Sequence, residues 1–185
     1  MNLYNLMFAL VLLVGSVAVA QAPQRETVIL AGGCFWGMED LLRKIPGVLS
    51  VDVGYSGGKT DKPDYNQVHG GKTGHAEAVR VVFDPTKLKF EDLLEKHFFK
   101  MHDPTTLNRQ GNDVGTQYRS AIFFTTKEQR ATAEAVKARV DKSGKWKKPV
   151  VTEIAEAGPY TLAEDYHQDY LVKNPGGYTC HWMRD

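Results

Sequence analysis

The chain carries two cysteines, Cys34 and Cys180, and the first stands in the run GGCFWG at residues 32–37. A thiol can be half of a staple, a metal ligand or a nucleophile, and its surroundings decide which. Cys34 follows the apolar run TVILA at 27–31 and precedes a stripe at helical spacing formed by Phe35, Met38, Leu41, Leu42 and Ile45. It therefore falls where a strand ends and a helix begins, beside unpaired N–H groups that favour a thiolate. Gly32 and Gly33 permit a tight turn and leave the sulfur unshielded on its N-terminal side. These features predict an exposed thiol of low pKa. Phe35 belongs to the buried stripe and Trp36 lies off it, a candidate wall for a small apolar group.

Glu77 is the most informative acid. In a strand over 75–83 it shares a face with Val79, Val81 and Phe83. If that face is buried, the carboxyl keeps its proton and can act as an acid; at a strand end that reaches solvent it is an ordinary glutamate. Tyr65 lies in a long loop and Tyr118 at the mouth of a strand, where either hydroxyl can face a pocket or water. Cys180 stands in the Gly-rich segment GGYTCHW. Its pairing with Cys34 would be a permanent staple or a transient catalytic disulfide, and spacing leaves both open. The six histidines are scattered without ligand spacing to a cysteine, so no metal site is expected.

The elements that must position these residues follow from periodicity. Strands are expected at 27–31, 48–54, 75–83, 118–125 and about 149–156, with Leu49, Val51 and Val53 on one face of the second. Helices are expected from Phe35 to Ile45, over 90–101, from a Thr126 cap to about Asp141, and at about 162–172. Loops of some length, 54–74 and 102–117, carry the Gly-rich and polar runs and are candidate functional segments. This order predicts an α+β fold: a ferredoxin-like two-layer α/β sandwich with an extra strand and helix and a long Gly-rich C-terminal tail.

Composition narrows the function classes. The 185 residues, 42% hydrophobic and 24% charged, suit one globular domain, and a net charge of +1 gives no electrostatic case for nucleic acid. Residues 1–24 carry no charged side chain, Leu6 to Ala20 is almost wholly apolar, and Ala18-Val19-Ala20 offers a small-x-small cleavage pattern. A signal peptide over 1–20, or failing cleavage an N-terminal membrane anchor, is expected, with one domain over 21–185 outside the cytoplasm.

Taken together, the ordered motifs GGCFWG (32–37), GYSGG (54–58), GHAEAVRVVFDP (74–85), HDPT (102–105), RQGNDVGTQYRSAIF (109–123), AEDYHQDYL (163–171) and NPGGYTC (174–180) resemble the A-type peptide methionine sulfoxide reductases from about residue 27 onward. The resemblance implies reduction of the S epimer of methionine sulfoxide, free or protein-bound, to methionine. Cys34 matches the nucleophile, and Phe35 and Trp36 match the residues that hold the substrate methyl. Glu77 matches the acid that protonates the sulfoxide oxygen, Tyr65 and Tyr118 the hydroxyls that bond it, and Asp113 a supporting polar position. Cys180 matches the resolving cysteine, which turns a Cys34 sulfenic acid into a Cys34–Cys180 disulfide. A thioredoxin-like dithiol then reduces that bond directly, since no third cysteine exists to relay it. No bound cofactor and a monomer are implied.

Overall fold

The computed structural model describes residues 24–185, so the expected leader and its cleavage site lie outside the described residues. The alternation of Val28 and Leu30 with Ile29 and Ala31 makes Glu26–Gly32 a strand, β1, buried on both faces. After a two-residue turn the helix α1 runs Phe35–Leu42, followed by β2 (Val48–Ser56). A short helix α2 (Tyr65–His69) interrupts the first long loop before β3 (Ala76–Phe83). The next helical run is α3 (Phe90–Asp92), a π-helical segment (Leu93–Phe98) and α4 (Phe99–Met101). The second long loop holds the small hairpin β4 (Arg109–Gln110) and β5 (Asp113–Val114), then a 3-10 turn at Thr116–Tyr118. The chain continues through β6 (Ser120–Phe124), α5 (Lys127–Lys142), β7 (Glu153–Glu156), β8 (Thr161–Leu162) and α6 (Tyr170–Lys173).

The central sheet has the order β7-β6-β1-β3-β2-β8. All neighbours are antiparallel except β6 and β7, which run parallel. This is a mixed α/β fold around a mostly antiparallel sheet. The main core lies on one face, where Leu30, Val53, Val79, Val81 and Ile122 meet Met38, Leu42, Leu93, Phe98 and Val136 from the helices. The other face is lined by smaller groups, Ala31, Ala76, Ala78 and Ala121 among them, and is covered by Ala155, Ala157 and Tyr160.

Two expectations need correction. Leu49 does not join Val53 on the inner face but is 46% exposed, because the β2–β3 register slips between Val48 and Ser50 and turns the side chain outward. The helix expected over 162–172 shrinks to Tyr170–Lys173. Asp169 takes a left-handed φ of +57°, which ends any helix entering it. Just before it, the Gln168 amide fills the edge of β2, its Oε1 accepting from the Val53 N–H at 3.0 Å and its Nε2 donating to the Val53 carbonyl at 2.9 Å. A side chain thus stands where a strand partner would, and the backbone around it is held as a turn.

Candidate functional site

Cys34 is the N-cap of α1, and Gly33 ahead of it has a φ of +110°, open only to glycine without strain. No acidic residue occupies the first turn of α1. The missing cap comes from across the sheet: Glu77 Oε2 accepts from the Phe35 N–H at 3.1 Å. Glu77 reaches this point because it shares the inner face of β3 with Val79, Val81 and Phe83, all fully buried. The nucleophile candidate and the acid candidate are thereby fixed to the same helix end.

Glu77 is 2% exposed, and burial pushes its carboxyl up to about 8; the nearby Asp113 charge adds to this and the Phe35 N–H opposes it. The acid therefore holds its proton at neutral pH. Cys34 departs from the sequence expectation. It is 6% exposed, and burial followed by the Glu77 charge pushes its thiol upward, against the favourable Trp36 N–H. Desolvation here outweighs the helix terminus. A protonated Glu77 removes the second of these two penalties.

Cys34, Phe35, Trp36, Tyr65, Glu77, Asp113 and Tyr118 line one cavity of about 160 Å³, and His69 and Tyr178 complete it. That volume equals a few water molecules at ~30 Å³ each, room for the end of a slender side chain and little more. The Tyr118 hydroxyl lies 3.3 Å from His69 Nδ1, and the Tyr65 ring stacks on the His69 ring. Burial and then the Glu77 charge raise both phenols, Tyr65 to about 12, so both remain hydrogen-bond donors. α2 aims Tyr65 through a capping box in which Asp64 and Gln67 bond reciprocally, while the Tyr65 N–H donates to Glu164 Oε1 at 2.9 Å. Trp36, half-buried, stacks on Tyr170 with ring centroids 3.7 Å apart, and its indole N–H donates to His167 Nδ1 at 3.1 Å.

Cys180 approaches the same place from the irregular segment after α6. Its thiol donates to Asp113 Oδ2 at 3.4 Å, and the Tyr178 hydroxyl donates to Oδ1 of that carboxylate at 3.1 Å. The Cys34 backbone N–H faces the Cys180 sulfur, and both cysteines are free thiols. The structure brings together all eight residues singled out in the sequence. His69, Tyr178, His167 and Tyr170 were missed. They sit in loops and short helices with no apolar period; the Asp64…Gln67 capping pattern was the one local signal that could have placed the Tyr65–His69 helix.

The arrangement offers a buried thiol, a protonated carboxyl, two phenols aimed into one small cavity and a second thiol within the same cluster. The chain as a whole is similar to known proteins. The model of the family "Peptide methionine sulfoxide reductase" matches residues 26–185. A curated relative from Mesorhizobium japonicum, peptide methionine sulfoxide reductase MsrA 1, is 55% identical over 88% of this chain and 92% of its own length. Among solved structures, Mxr1 from Saccharomyces cerevisiae in reduced form is 36% identical with a TM-score of 0.82, covering 87% of this chain and 93% of that one. Mxr1 in complex with Trx2 aligns with a TM-score of 0.61 at 21% identity, covering 92% of this chain and 97% of that one, a likeness of fold alone. On the match along nearly the whole described length, the chain belongs to the peptide methionine sulfoxide reductase family of oxidoreductases.

Proposed function

We propose that this chain reduces the S epimer of methionine sulfoxide, free or in oxidised proteins, to methionine by thiol chemistry at Cys34. The observation that carries the reading is the Glu77 carboxyl, buried and bonded to the first N–H of the helix that Cys34 caps, where burial pushes its pKa up and favours the protonated acid. A sulfoxide oxygen leaves only once protonated, and Glu77 supplies that proton while Tyr65 and Tyr118 donate hydrogen bonds to the oxygen. Phe35 and Trp36 enclose the substrate methyl. Cys34 sulfur attacks the sulfoxide sulfur, methionine departs and Cys34 is left as a sulfenic acid. Cys180, held by Asp113, condenses with it to a disulfide and water, and a thioredoxin-like dithiol restores both thiols by exchange. Mxr1, which in its reduced form is 36% identical to this chain, was also solved in complex with Trx2, which supports a reductant of this class.

The strand order β6-β1-β3-β2 with its helices on one face supports a ferredoxin-like unit extended by β7 and β8. We assign residues 21–185 to one monomeric domain acting outside the cytoplasm after removal of, or anchored by, residues 1–20. The test of the function is mass spectrometry of the fully reduced protein mixed with methionine sulfoxide. Loss of two thiols in step with one methionine per chain is expected; persistence of both thiols with untouched substrate overturns the reading.

A further inference from the structure

Cys180 must lose a proton before it can attack a sulfenic acid, and its surroundings oppose this. Burial and the adjacent Asp113 carboxylate push its thiol up to about 12. A thiolate formed by loss of the proton to solvent would sit against that carboxylate, unpaired. The next residue, His181, is 6% exposed, and its ring makes two polar contacts. Its Nε2 lies 2.8 Å from the Gly32 carbonyl, and its Nδ1 lies 3.5 Å from Cys180 Sγ. A carbonyl can only accept, so Nε2 carries the hydrogen. In the neutral ring Nδ1 is then bare, with its lone pair at the Cys180 thiol.

We propose that His181 is the general base of the resolving step, its Nδ1 taking the Cys180 thiol proton as that sulfur attacks the Cys34 sulfenic acid; this rests on the function proposed above. The Cys180 Sγ–Cys34 Sγ bond forms and the Cys34 Sγ–O bond breaks. The departing hydroxide takes up a proton equivalent to the one lodged on Nδ1, so the products are a disulfide, water and a neutral His181. Cys180 is oxidised and the Cys34 sulfenic sulfur reduced, with no outside reagent.

The groups facing this imidazole set the electrostatics. Asp113, from β5, and the nascent thiolate stabilise the transient imidazolium, whereas Arg184 in the same terminal segment opposes it. His102, which follows α4, is fully buried and neutral, its pKa pushed down to about 3. Burial, then the Arg184 charge, keep His181 down at about 4 against the Gly32 carbonyl and Asp113, so the base is free at neutral pH.

The Asp113 carboxylate also lies within reach of the thiol, at 3.4 Å. Asp113 is already held by the Tyr178 hydroxyl, and as a carboxylate it stabilises the imidazolium that transfer to Nδ1 creates. His181 gains a charge that has a partner waiting.

The experiment compares wild type with His181→Gln and His181→Asn in single-turnover rapid quench at pH 5.5 to 9, reading methionine release and disulfide formation separately. A Gln amide nitrogen reaches the position of Nε2 and keeps the Gly32 anchor without a base; Asn loses the anchor. Disulfide formation in His181→Gln should be slowed about 100-fold at pH 6, far more than methionine release. Its rate should climb about tenfold per pH unit, while wild type stays flat, and added imidazole should recover part of it. A wild-type rate of disulfide formation in His181→Gln overturns the proposal. So does an equal, pH-independent slowing in both variants that imidazole does not relieve, which is what a lost anchor alone produces. Stoichiometric hydrogen peroxide makes the Cys34 sulfenic acid without a sulfoxide, so the same comparison can be run if methionine release fails. In that case the functional reading falls and the peroxide arm decides this one.

Discussion

Glu77 and Phe35 are joined by a single hydrogen bond, carboxyl Oε2 to backbone N–H at 3.1 Å, between the third strand of the chain and the first turn of its first helix. The bond serves two purposes at once. It caps a helix that has no acid of its own in the first turn, and it holds a protonated acid one residue from Cys34. Proton donor and sulfur are therefore positioned by one rigid junction, with no loop between them.

The rate of methionine release should accordingly fall above pH of about 8. Glu77 must be protonated to act, and above its pKa the protonated fraction drops about tenfold per pH unit. Glu77→Gln keeps the shape but has no proton to give, so release should slow by about 100-fold or more at pH 7. Rapid-quench rates across pH 6 to 10 check both; a Gln variant with the wild-type rate removes Glu77 as the acid.

The same group makes stability depend on pH. A carboxyl at about 8 in the folded chain, against an ordinary value of 4.5, binds its proton more tightly folded than unfolded. Its contribution is fully present below the unfolded value and is lost as pH rises through the folded one. Thermal unfolding of Glu77→Gln should therefore show a smaller drop in Tm between pH 5 and 8 than wild type. Parallel curves for the two proteins would contradict the buried, protonated carboxyl.

Trp36 should matter for capture of substrate. Its ring is held by the stack on Tyr170 and the bond to His167, a posture that Trp36→Ala removes entirely. KM for methionine sulfoxide should rise about tenfold or more, with disulfide reduction by a dithiol changed far less. Steady-state kinetics with substrate and reductant varied in turn separate the two effects.

Gly37 is the point where the terminal segment lies against α1. A Cβ there would collide with Thr179 Oγ1 and stand 2.6 Å from His181 Nδ1. Gly37→Ala should displace the segment that carries Cys180. One methionine per chain should still be released, with disulfide formation slowed about tenfold or more and turnover slowed with it. Thiol counting after a single turnover checks this.

Much of the site was legible in the sequence. The end of β1, the start of α1 and the face that Glu77 shares with Val79, Val81 and Phe83 follow from apolar periodicity, which a buried sheet and an amphipathic helix impose on the chain; that this face is buried at Glu77 is seen only in the fold. The exposure of Cys34 was misjudged, because the groups that cover it, among them Glu77 from β3 and Asp113 from β5, come from segments far along the chain. His69, His167 and Tyr178 were illegible for a related reason. Each lies in a segment ordered by polar side chains, such as Glu164 accepting from both Tyr65 N–H and the Tyr55 hydroxyl, and such order has no period.

The depth of Cys34 sets which oxidised methionines can be repaired. With Cys34 6% exposed at a cavity of about 160 Å³, a thin, unbranched arm that stands clear of its own backbone fits the approach to it. Sulfoxides on frayed ends, loop tips and unfolded stretches meet that condition; those pressed against a helix or sheet do not. Sulfoxides in loose segments should therefore be reduced ahead of those held in a tight fold.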